Sequence, residues 1–409
     1  MSTHHEWSRD ETPAIVHHGD VDTRGVALAD GTYRTISDES RERIGEALAD
    51  VVSPGTRRAY ERQWRKFESY CQASGYQPLP ADPDVVCEYL HFLETTASPE
   101  RQPSRVGWSV SSINQALAAI KFVHRRALAA PKVTADDATP IPLWKHPQVD
   151  DMLQSIRHRA ARQGKSAPEQ KRPILLGELT TLLTEADAAA DTWRLRLYAR
   201  RDAAVLLLGW VGAMRREEIA ALRVRDVTRS HGRWTVKVAR SKTDQFGQGN
   251  TKALPTGSNL TTCGPCAVVR WMECVSTFDE RGRYGLIRLL SSDKKQRWHV
   301  CERQPAWQHL DLPLFRRIMR SATIDDRPIS DDVVNSIVHR RVAASSIDVD
   351  TATVGAHSLR AGFVTEAILK GTNHRAIQRQ TNHKSIQALL GYAREHDAFD
   401  NNAATDIGL

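Results

Sequence analysis

The stretch Gly164-Lys165-Ser166-Ala167-Pro168-Glu169-Gln170-Lys171 holds few apolar side chains and contains both glycine and proline. Neither a helix nor a strand runs easily through such a sequence, so the chain is expected to divide there. With 409 residues, each side of the division is long enough to bury a core of its own. The sequence predicts an N-terminal arm over 1–52, largely disordered but with a short helix over about 37–51. A helical bundle follows over 53–164, then a linker over 165–172 and a larger domain over 173–409.

The bundle rests on helical periodicity. Tyr60, Trp64, Phe67 and Cys71 recur at steps of four, three and four, which places them on one face of a helix. Arg57, Arg58, Arg62, Arg65 and Lys66 fall off that stripe. Three more helices are expected over about 84–95, 109–128 and 147–163, and the third of the four carries Lys121 and Arg125. Four such helices can close on one another. A basic helical face is usually just solvated, so these cations point to DNA only if something else does.

Beyond the linker the chain reads as mainly helical, with one small β-hairpin. Trp234, Val236 and Val238 alternate with Thr235 and Lys237, the period of two that marks a strand. A turn-rich segment follows, and Thr251 to Leu254 can return as the partner strand with Lys242 near the tip. Helices are expected over about 198–211, 215–222, 266–276, 331–343, 358–370, 374–380 and 385–394. The segment from about 277 to 309 reads as a long connection. Its basic residues Arg281, Arg283, Arg288, Lys294, Lys295 and Arg297 read first as those of a solvated loop, with added DNA contacts the other reading.

Bulk properties narrow the class. The net charge of +8 favours a polyanionic partner, either nucleic acid or an anionic membrane surface. No apolar run reaches 18 residues, and the N-terminus lacks the apolar core of a signal peptide, so a cytoplasmic protein is expected. Six cysteines in so long a chain do not make a disulfide scaffold. Cys263-Gly264-Pro265-Cys266 reads first as a pair of structural cysteines. A redox pair, or half of a zinc site completed by Cys274, His299 or Cys301, stays open.

Chemistry concentrates near the C-terminal end. His357 is the one histidine of the chain with an arginine, Arg360, three places on. The pair opens a helix, where both side chains can meet one anion; a capping pair on a surface helix is the other reading. Upstream, Arg215 enters a helix directly after an apolar segment. An arginine placed there needs a partner, and Glu218 one turn on, or a phosphate, can serve. His383 precedes a short helix carrying Tyr392, the one tyrosine after Tyr284. A lone helical tyrosine is most often packing material, so Tyr392 gains meaning only from its neighbours.

Taken together these pieces resemble the tyrosine recombinases, also called phage-type integrases, in their simple two-domain form. The resemblance spans about residues 54–400. GAMRREEIAAL looks like that family's first arginine box and implies Arg215 as a catalytic arginine. Ser241-Lys242-Thr243 looks like its hairpin lysine, implying Lys242. HSLRAGF looks like its second box, implying His357 and Arg360. Asn382-His383-Lys384-Ser385 matches its second histidine position, and the nine-residue step to Tyr392 matches its nucleophile.

The resemblance implies a site-specific recombinase acting on double-stranded DNA sites as a homotetramer, in the cytoplasm with the nucleoid. It implies a 3′-phosphotyrosyl intermediate, a Holliday junction and no cofactor or metal. Tyr392 would attack, His357 would accept its proton, Lys242 would protonate the leaving 5′ oxygen, and Arg215, Arg360 and His383 would hold the phosphate. Arg57, Arg58, Arg62, Arg65, Lys66, Lys121 and Arg125 would face the DNA backbone. A type IB topoisomerase, a telomere resolvase and a non-catalytic DNA-binding regulator are the competing expectations.

Overall fold

The computed structural model describes residues 26–27, 33–34, 52–96, 107–127, 141–164, 171–238, 249–292, 298–307, 309–383 and 385–390. The helix expected over 37–51 lies outside them, as do Lys242 and Tyr392. Two compact units divide between Glu169 and Gln170. Within the arm, strand β1 (Val26–Ala27) pairs antiparallel with β2 (Tyr33–Arg34), a pairing that the arm's polar sequence does not announce.

The first unit is built on helices α1 (Pro54–Ser74), α2 (Pro83–Thr95), α3 (Val110–Ala127) and α4 (Pro147–Arg162). Each boundary has a local cause. Ser53 caps α1 by accepting from the Thr56 backbone N–H, with proline at the first helical position. Gly75 ends α1 in the left-handed conformation that a side chain disfavours. Asp82 and Pro83 open α2 in the same way as Ser53 and Pro54 open α1. Trp64, Phe67 and Cys71 of the α1 stripe are buried with Tyr89, Leu90, Ile113, Leu117, Ile120, Val149 and Leu153, whereas Tyr60 is half-buried beside Phe122.

The second unit opens with α5 (Leu176–Ala188), α6 (Trp193–Trp210) and α7 (Arg216–Ala220). An antiparallel sheet of β3 (Val227–Ser230), β4 (Arg233–Val238) and β5 (Asn250–Leu254) follows, with β4 central. Helix α8 (Gly264–Ser291), the hairpin β6 (Arg316–Ile318) with β7 (Ile324–Pro328), and α9 (Asp331–Ala343) come next. The described chain ends in α10 (Ala356–Leu369), α11 (His374–Thr381) and α12 (Ile386–Leu390).

Four features correct the sequence expectation. Helix α5 and strand β3 are absent from it, and a second hairpin, β6–β7, joins the first. The segment after Thr277 continues α8 to Ser291 instead of forming a loop. Leu286 and Leu290 explain this, since both are fully buried in the core while Arg281, Arg283 and Arg288 stay on the outer side. A non-helical Gly282 bends the helix at mid-length.

Two devices hold the core. Helix α10 passes so close to the chain before α5 that a Cβ on Gly362 would sit 1.8 Å from the Ile174 carbonyl oxygen. On α6, Asp202 is 1% exposed and accepts from Arg201, Arg340 and Arg341, which ties α6 to α9.

Candidate active site

Four separate pieces of the second unit converge: the α6–α7 turn, strand β5, the first turns of α10, and α11 with the residues after it. At the turn the chain leaves α6 through Gly212 and Ala213. A Cβ on Gly212 would meet the Leu208 carbonyl oxygen at 2.6 Å, and Ala213 takes a positive φ of 45°. That conformation is costly for a residue with a Cβ, and it aims the Ala213 carbonyl inward. The Ala213 oxygen accepts from Arg360 Nη1 at 2.7 Å.

Arg215 follows as the residue capping α7. Glu218 serves it twice: one carboxylate oxygen accepts from the Arg215 backbone N–H at 3.0 Å, the other from Nη1 at 2.9 Å. Glu218 is buried, while Arg215 keeps partial exposure. The guanidinium is therefore oriented from behind and open in front.

Arg360 is 1% exposed. Its Nη2 lies 3.1 Å from His383 Nε2. Arginine can only donate, so His383 Nε2 accepts. His383 Nδ1 lies 2.7 Å from Thr381 Oγ1, and that hydroxyl donates to the Ile377 carbonyl. These partners assign the proton to Nδ1. The donor role expected for His383 toward a phosphate is thus not the arrangement seen, because Arg360 occupies the acceptor nitrogen. Burial and then the charges of Arg360, Arg215, His357 and Lys252 push the imidazole down to about 4, so it is neutral at physiological pH.

Two contacts place His383. Asn382 ends α11 in the left-handed conformation, and Gln378 Nε2 donates to the His383 carbonyl. His357 sits in the first turn of α10, whose N-terminus is held by Asn335 accepting from the Ala356 N–H. His357 is exposed. Desolvation, then Arg360 and Arg215, lower its pKa from the ordinary value.

No local pattern in the sequence announces Lys252. It lies on β5 opposite Val236, 2% exposed, and its Nζ donates to the Gln380 carbonyl at 2.7 Å. Burial lowers its pKa to about 8; Glu218 opposes the shift, and Arg360 and Arg215 add to it. A weak signal does exist: Lys252 is in phase with inward-facing Leu254. Gln380 completes the frame, donating from Nε2 to the carbonyls of Val211 and Ala253.

Arg215, Arg360 and a single carboxylate, Glu218, thus lie within electrostatic reach of buried Lys252. Excess positive charge held away from bulk water, in fixed positions, is a receptor for an anion with several oxygens. Among the sequence-expected residues the structure brings together Arg215, Glu218, His357, Arg360 and His383.

The cations of the first unit are distributed differently. Arg58, Arg62, Arg65 and Arg125 reach solvent on α1 and α3, and Arg57 is partly exposed. Lys66 lies 4.5 Å over the Trp108 ring, and Lys121 pairs with Asp150 at 2.5 Å.

No family model matches the chain. A curated relative, the integrase/recombinase xerD homolog of Selenomonas ruminantium, is 26% identical over 368 residues. That match covers 90% of this chain and 88% of the relative. This similarity supports the tyrosine recombinase family for the chain. A second curated relative, the recombinase cre of Escherichia phage P1, is 24% identical over 262 residues, 62% of this chain and 65% of its own. Among solved structures, the Tn1549 transposon integrase in complex with transposon right end DNA aligns with a TM-score of 0.47 and 17% identity. The alignment covers 84% of this chain and 90% of that one.

Proposed function

We propose that this chain is a tyrosine recombinase, a site-specific DNA recombinase that cuts and rejoins DNA through a 3′-phosphotyrosyl intermediate. The observation that carries the reading is the cluster of Arg215, Arg360 and buried Lys252, each held by its own partner: Glu218, the Ala213 carbonyl and the Gln380 carbonyl. It suits a phosphodiester, whose equatorial oxygens gain charge in the transition state. The relatives' names, integrase/recombinase and recombinase, support the same chemistry.

In this reading the Tyr392 phenol oxygen attacks the scissile phosphorus and the 5′ oxygen leaves. A phenol has a pKa near 10, so its proton needs an acceptor. His357, held neutral by its surroundings, takes it. Lys242 returns a proton to the departing 5′ oxygen. Arg215 and Arg360 bind the non-bridging oxygens, and Lys252 adds charge from below. The phosphotyrosyl bond conserves the energy of the broken ester, so a 5′ hydroxyl from a partner strand can reverse the step on a second duplex. Exchange between two duplexes requires four protomers, so a homotetramer on DNA is part of the proposal, as is action on the nucleoid in the cytoplasm.

Incubation with a nicked recombination substrate tests the nucleophile. The wild-type chain accumulates a covalent DNA adduct, and Tyr392→Phe binds the DNA but forms none; an adduct with Tyr392→Phe overturns the assignment. A bridging 5′ sulfur in place of the leaving oxygen needs no proton donor. It restores cleavage to Lys242→Ala and leaves Lys252→Ala slow.

A further inference from the structure

Away from the arginines, four donor side chains of the second unit meet: Cys263, Cys266, His299 and Cys301. Their ligand atoms all lie within 4.8 Å of one another. We propose that they form a structural zinc site of the three-thiolate, one-imidazole kind.

The distances suit it. Zinc–sulfur bonds of about 2.3 Å and zinc–nitrogen bonds of about 2.0 Å in a tetrahedron set sulfur pairs about 3.8 Å apart and sulfur–nitrogen pairs about 3.5 Å apart. Cys263 Sγ and Cys301 Sγ are 4.0 Å apart. His299 Nδ1 lies 3.3 Å from Cys266 Sγ and 4.0 Å from Cys301 Sγ. The three thiols are 0%, 0% and 4% exposed, so four protein donors would surround the ion with no position open to a substrate. A closed set of four is the mark of a structural site.

Position gives the site a purpose. Cys263 caps α8 and Cys266 lies in its first turn. His299 and Cys301 belong to an irregular segment beyond the far end of that helix. The Cys301 carbonyl accepts from Trp234 Nε1 of β4 at 2.7 Å. At Gly257, just after β5, a Cβ would stand 3.3 Å from Cys263 Cα. An ion would therefore fasten the start of α8, the segment after it and the sheet that carries Lys252. Three thiolates and a neutral imidazole around Zn²⁺ leave one negative charge, which the N-terminus of a 28-residue helix favours. Cys274 stays outside the set; its sulfur lies 3.5 Å from Arg200 Nη1.

Metal content is read separately from DNA chemistry, so failure here leaves the recombinase reading untouched, and the converse. Full-length protein purified under reducing conditions carries one zinc per chain by elemental analysis. Cys266→Ser and Cys301→Ser lose it, and Cys274→Ser keeps it. Should either serine variant fail to fold, cobalt(II) added to metal-stripped wild type decides. Thiolate-to-cobalt charge-transfer bands and tetrahedral d–d bands are expected. Wild type that binds neither ion overturns the proposal. So does a Cys263–Cys301 disulfide found by mass spectrometry of the reduced preparation, or a Cys274→Ser variant that folds without metal.

Discussion

Glu218→Gln keeps an oxygen for the Arg215 backbone N–H and removes the charge that orients the guanidinium. A hydrogen bond to a charged group is worth about 1.5–3 kcal/mol, so single-turnover cleavage should slow by roughly 10- to 150-fold. Arg360→Ala, which on the proposed reading removes a buried phosphate donor, should cost about 100- to 1,000-fold in the same assay. His383 makes a pH prediction. Its ordinary pKa of 6.5 in the unfolded chain falls to about 4 in the folded one. Between those values the unfolded chain binds a proton that the folded chain refuses. The stability lost is nil above pH 6.5, grows as pH falls, and is complete below 4. His383→Gln should therefore flatten the acid limb of a Tm-against-pH curve. Most members of this cluster are legible in the sequence, because Arg215, His357, Arg360 and His383 stand in recognisable local patterns. Lys252 is hidden because it stands in none: only the pairing of β5 with β4 turns it inward.

At the scale of elements, legibility follows periodicity. The four helices of the first unit are readable from single apolar stripes, and α9 from its charged first turn and buried inner face. Helix α8 reads as shorter than it is because Asp279, Glu280, Arg281 and Arg283 surround Gly282, and that composition resembles a loop. The burial of Leu286 and Leu290, which makes it helix, depends on partners distant in sequence. Strand β3 is four residues long and β6 three, too short to show alternation. Two substitutions probe how elements are joined. Gly362→Ala forces a carbon against the Ile174 carbonyl and should cost about 1–3 kcal/mol by urea unfolding. Asp202→Ala strands three arginines between α6 and α9 and should cost about 3–5 kcal/mol.

For the molecule as a whole, DNA affinity is expected to carry a strong salt dependence. Arg58, Arg62, Arg65 and Arg125 reach solvent, whereas Lys66 and Lys121 are engaged within their own unit. Replacing the four arginines by alanine should shallow the slope of log affinity against log salt by up to about 0.9 for each phosphate left without its cation. Replacing Lys121 should change it less. The division into two units is readable from the linker's composition, whereas the meeting of distant pieces at the candidate site is not. Gln380 illustrates what that meeting entails. Its side chain joins the end of α6, made 169 residues earlier, to β5, made 127 residues earlier. During synthesis the early segments can collapse into a core before residue 380 exists. Arg215 then emerges from the ribosome long before His383 can reach Arg360. A chain stalled in between carries an arginine pair without its histidine and without the clasp that sets β5. On the proposed reading, an unfinished copy is thereby unable to break DNA.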